Sequence, residues 1–118
     1  MKHQSAAVLP ASYAALEPFV RYWALPTSAA RSIARSRSTA AERRAFYDAA
    51  LPVAAEALAA LDARPLAELG SAERRLLDLL LSFAHVSLAV EVHGSNEEWH
   101  SHWRDRMVVT GAPADRAA

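Results

Sequence analysis

Between Leu76 and Val92 the chain reads LLDLLLSFAHVSLAVEV, a helix-length run that is apolar on almost every side. Asp78, Ser82, His85, Ser87 and Glu91 are its only interruptions. A helix that is apolar all round has to be covered by other elements, so this segment is expected to form the buried centre of the fold, as a helix over about residues 72–93. A membrane span would need about 20 predominantly apolar residues, and this run is shorter and carries Asp78, His85 and Glu91. No membrane partner is therefore expected.

The flanking segments read as further helices. Pro18 cannot sit inside a helix without losing a backbone donor, so a short helix is expected from Pro18 to Ala24, with Glu17 near its cap and Phe19, Tyr22 and Trp23 as an apolar anchor. Leu25-Pro26 ends it and Thr27 caps a second helix, Ser28 to Arg37, which is rich in Ala and Arg, has Ile33 as its one large apolar residue, and reads as a surface helix. Thr39 and Glu42 match a capping box that opens a long helix over Ala40–Ala63, with Phe46, Leu51, Leu58 and Leu61 as core candidates and Pro52 expected to bend or break it. Residues 64–70 connect to the central helix, held to the core by Leu66 and Leu69, with Ser71 as the cap. Gly94 reads as a helix stop, Ser95 and Glu98 as another capping box, and Asn96–Met107 as a last helix with Trp99, Trp103 and Met107 on one stripe. No strand periodicity or Gly-rich loop is present. The expected fold is all-α, a single compact bundle of four to five helices, with a loose arm over residues 1–11, one domain over 12–110 and a loose tail over 111–118.

Composition narrows the function. The net charge is zero, and the basic and acidic halves of the chain can neutralise each other. No aromatic–basic interleaving accompanies the arginines, so no nucleic acid is expected as a partner. With no Cys there is no disulfide, thiol nucleophile or thiolate metal site. The first ten residues have too short an apolar stretch for a secretory signal, so a cytoplasmic location is expected. The predominance of Arg over Lys and the abundance of Ala read as the coding bias of a GC-rich bacterium. A domain of this size buries only about two-thirds of its unfolded surface, so a homodimer is expected.

Candidate chemistry lies first in the central helix. Asp78, Ser82 and His85 share one face, and Ser87 and Glu91 another. One reading is a bundle pocket with His85 as acid or base, tuned by Asp78 or Glu91, and with Tyr22, Trp23, Tyr47 and Ser82 touching a ligand. The other is that these polar groups are satisfied within the core by Tyr22, Trp23, Tyr47 or an Arg. Arg31 and Arg35, one turn apart, could hold an anion or an acidic partner surface, or pair with acidic residues of the fold. Glu98, His102 and Asp105 could share a face with His93 completing a metal site, whereas His100 and His102 point apart; a solvated polar face explains the same residues, and no metal or cofactor is expected.

At Trp23-Ala-Leu-Pro-Thr27, Phe46-Tyr-Asp-Ala49, Leu51-Pro52, Leu61-Asp62, Pro65-Leu66, Ser82, Val86 and Val90-Glu91 the chain resembles a family of small all-α bacterial proteins of unassigned function. The resemblance covers roughly residues 16–94. It implies a compact helical domain and assigns no catalytic role to any position. Two functions are therefore expected: a non-catalytic accessory or protein-interaction module, or a small lyase, isomerase or hydrolase acting on an apolar or aromatic molecule at His85.

Overall fold

Proline placement sets the first turns. In the computed structural model, which describes residues 8–93 and Glu97, the chain enters through a 3-10 helix over Ala11–Phe19 and becomes α-helical only past Pro18, as α1 (Val20–Trp23). The α-helix is thus shorter than the Pro18–Ala24 expected, and Ala24 leaves the helical region two residues before Pro26. Within the arm expected over residues 1–11, Val8 and Leu9 are fastened. Glu17 accepts hydrogen bonds from the amides of Val8 (3.1 Å) and Leu9 (2.8 Å), so its carboxylate secures the entering chain instead of capping a helix, and Leu9 is buried.

Thr27 caps α2 (Ser28–Arg37) by accepting from the Ala30 amide at 3.1 Å. The capping box at Thr39 and Glu42 opens α3 (Ala40–Asp62), with the Glu42 amide donating to Thr39 Oγ1 at 3.1 Å and the Thr39 amide donating to Glu42 Oε1 at 2.7 Å. Pro52 does not break α3. It is solvent-exposed, so water can satisfy the Asp48 carbonyl deprived of its partner. A 3-10 turn at Leu66–Glu68 leads to α4 (Ser71–Ser87), whose cap is Gly70 rather than Ser71: the Gly70 amide donates to Glu73 Oε1 at 2.9 Å. Leu69 packs on the core, whereas Leu66 is exposed. The central helix ends at Ser87 and continues as a π turn over Leu88–His93, where one helix over 72–93 was expected.

All elements among the described residues are helical, and the protein is an all-α bundle around α4, which packs against α1, α2 and α3. Phe46 is its centre. It is fully buried, stacks on Trp23 (centroids 5.0 Å apart, planes at 8°), meets Phe83 edge-on at 6.4 Å and lies 5.6 Å from Phe19. Leu61 joins this core, but Leu51 and Leu58, expected there too, stand on the exposed side of α3. The same openness appears on α4, where Ala84 and the following Leu88 face solvent. Among the described residues, the helix that is apolar all round is therefore covered by α1, α2 and α3 and left open on its remaining side. The expected helix over Asn96–Met107, its Trp99–Trp103–Met107 stripe and the tail lie outside the described residues, apart from Glu97, which is helical and buried.

Candidate functional site

The polar interior is built on α2, and it inverts the surface helix expected there. Ile33 is exposed, while Arg31 and Arg35, one turn apart, face inward and are 2 % and 3 % exposed. Arg35 makes a two-pronged pair with Glu97, Nε donating to Oε2 at 3.1 Å and Nη2 to Oε1 at 3.0 Å. Arg31 donates from Nη1 to the Leu25 carbonyl at 2.7 Å, with its Nη1 3.9 Å from the Asp78 carboxylate. Arg43, buried at the start of α3, donates to the Ser38 carbonyl at 2.6 Å, which places its cation at the C-terminal end of α2, where helix carbonyls carry partial negative charge. Ionised groups are stable in an apolar interior only when paired and hydrogen-bonded, and α2 is held to the bundle by such pairing. Arg31 and Arg35 are thus engaged internally and do not form a surface for an anion or a partner.

The residues grouped around His85 have these surroundings. Asp78 is fully buried beside Arg31; Ser82 is buried and donates to the Trp23 carbonyl at 2.5 Å; His85 is half-buried; and Glu91 is exposed on the π turn, where it accepts the Tyr47 hydroxyl proton. Trp23 is spent on the Phe46 stack, and Tyr22 is 65 % exposed beneath the Arg21 guanidinium. The structure brings Tyr47 together with Glu91, Ser82 with Trp23, and Asp78 with Arg31.

The Tyr47 phenol stacks on Phe83 at 5.7 Å and lies under Arg44. Its hydrogen bond to the Glu91 carboxylate, with burial and the negative charge of Glu91 in support, raises its pKa above the ordinary 10.0. A raised folded value means that the protonated phenol stabilises the fold fully below pH 10, a contribution lost as pH climbs through the folded pKa. Ultraviolet difference titration of the protein against Tyr47→Phe should read a phenol ionising above pH 10, with a lower midpoint in Glu91→Gln; a midpoint at or below 10 would contradict the pairing.

Clefts among the described residues include three that His85 does not line. One of about 410 Å³ lies between α1, α2 and α3 beside Phe19, Tyr22, Trp23 and Arg37. Another of about 420 Å³ lies beside Arg43, Arg44 and Val90. The third, about 390 Å³, runs between α3 and α4 and is lined by Ala54, Ala55, Leu58, Leu77, Leu81 and Ala84 among others, with the Ser87 hydroxyl its one polar side chain. Leu51 (50 % exposed) and Leu88 (48 % exposed) extend this apolar face. Contiguous exposed apolar surface of this kind marks an interaction site far more often than do single exposed leucines.

Sequence reasoning missed Glu97, the burial of Arg43 and this groove. The signal for the groove was present in the excess of apolar positions on α3 and α4 over what one small core can hold. No group of His, Asp or Glu among the described residues could hold a metal, and the expected alternative at His93, Glu98, His102 and Asp105 rests on side chains outside them. No helix among the described residues is long and apolar enough to cross a membrane. Comparison with protein-family models, with curated proteins and with solved structures gives no match.

Proposed function

We propose that the protein is a non-catalytic interaction module whose working surface is the apolar face shared by α3 and α4. The observation that carries this reading is the groove itself: Leu58, Leu77, Leu81 and Ala84 line an open, almost wholly apolar channel, while Ser82, Tyr47 and the buried arginines are engaged inside the fold. A pocket enzyme needs convergent polar groups around a cavity, and here His85 borders none of the three clefts. The runner-up, an enzyme of the lyase, isomerase or hydrolase type with His85 as acid or base, is supported by none of these three clefts among the described residues. A cytoplasmic location and membership of the small helical bacterial family that the chain resembles belong to the same proposal.

The test is binding of an apolar fluorescent dye to dilute, folded protein. Leu58→Asp should abolish most of the dye signal while leaving helicity and melting nearly unchanged, since the side chain is 48 % exposed and surface substitutions shift stability within about 0.5 kcal/mol. His85→Ala should bind dye as the parent does. Unchanged dye binding in Leu58→Asp, or its loss in His85→Ala, would overturn the reading.

A further inference from the structure

The exposed side of α3 carries a pattern that a lone helix does not need. Arg44, Asp48, Leu51, Ala55, Leu58 and Asp62 are all exposed and follow one another at spacings of four, three, four, three and four. That alternation keeps side chains on the single seam where two helices meet. The centre of the seam is apolar. Its ends carry opposite charges, Arg44 at the start and Asp62 at the finish, and Arg44 also holds Asp48 at 3.1 Å.

Resting on the reading of the α3–α4 face as a docking surface, we infer that its occupant is a second copy of this chain, with α3 lying antiparallel on its counterpart across a two-fold axis. Charge selects this arrangement. Parallel pairing in register would set Arg44 against the partner's Arg44 and Asp62 against the partner's Asp62, and like charges facing each other oppose association. Antiparallel seams pair alternate positions, which places Arg44 opposite the partner's Asp62, Leu51 opposite the partner's Ala55, and Asp48 opposite the partner's Leu58, where the Arg44 of its own helix keeps the Asp48 carboxylate paired. A large side chain then meets a small one, and the opposite charges meet at both ends of the same interface. A two-fold axis presents each such contact twice, so one surface is complementary to itself. Leu77, Leu81 and Ala84 of α4 flank the seam and extend the apolar area that the pairing would cover.

The decisive experiment is sedimentation equilibrium of the full chain with charge-reversed variants, each checked for helicity. Arg44→Asp and Asp62→Arg should each weaken the dimer by about tenfold or more, because each alteration is counted twice and turns attraction into repulsion. The double variant, Arg44→Asp with Asp62→Arg, should recover most of the parent affinity. The chain has no cysteine, so an equimolar mixture of Leu51→Cys and Ala55→Cys proteins under mild oxidation gives a second readout: the mixed disulfide should exceed either homodimer. A parent dimer unaffected by both single reversals, or a double variant no better than either single one, would overturn the antiparallel pairing. A parent that stays monomeric while Leu58→Asp still abolishes dye binding would overturn self-association and leave the interaction module standing. Dye binding that ignores Leu58→Asp would sink that underlying reading as well.

Discussion

Replacing Glu97 with Ala should lower the unfolding free energy by about 3–5 kcal/mol, because it strands a buried guanidinium. Arg35 is 3 % exposed and Glu97 fully buried, and both prongs of the pair are within hydrogen-bonding distance at 3.0 and 3.1 Å. The attraction between them need not exceed what their desolvation costs; the loss comes from leaving one charge in an apolar interior without its counterpart. Small domains have a total stability of about 5–15 kcal/mol, so the variant should melt at least 10 °C below the parent. Arg35→Ala should fall similarly. The instructive partner is Arg35→Met combined with Glu97→Leu, which removes both charges and keeps the volume. That double variant should recover to within about 2 kcal/mol of the parent in urea unfolding. Single variants that cost less than about 1 kcal/mol, or costs that simply add, would show that the pair does not hold α2 to the bundle.

Phe46→Ala should cost about 3–5 kcal/mol by a different route, the loss of transfer energy together with an unfilled cavity. Phe46 is fully buried among Trp23, Phe19 and Phe83, and ring contacts at these separations add about 0.5–1.5 kcal/mol beyond the area they cover. Leu51→Ala on the same helix is the control. Leu51 is half exposed, and in protein dilute enough to be monomeric its truncation should change stability by less than about 0.5 kcal/mol. Equal losses at the two positions would mean that the face through Leu51 is covered within the monomer, contrary to the docking surface proposed for it.

The contrast between Phe46 and Leu51 shows where the sequence was legible. Helix positions followed from Thr27, the Thr39–Glu42 box and the prolines, because capping and backbone sterics act within a few residues. Which face of a helix is buried depends on partners distant in the chain, and there the reading failed. Ile33 was the apolar residue of α2, yet the side turned inward carries Arg31 and Arg35, because Asp78 and Glu97 wait there to neutralise them. Arg35 and Glu97 are 62 residues apart, beyond the reach of any local pattern. The polar interruptions of α4 were recognised as groups needing compensation, and Ser82 found it in the Trp23 carbonyl. Glu91 found it in the Tyr47 hydroxyl, past the switch from α-helix to π turn at Leu88.

The central claim is that α2 and the buried pairs hold the fold together while the open α3–α4 face does the work. Sedimentation equilibrium of Leu58→Asp beside the parent, with helicity and melting recorded on the same samples, tests it most directly. The account predicts a folded monomer at concentrations where the parent is dimeric, with melting equal to the parent's only once both are diluted to monomer. A Leu58→Asp protein that associates as strongly as the parent would contradict it.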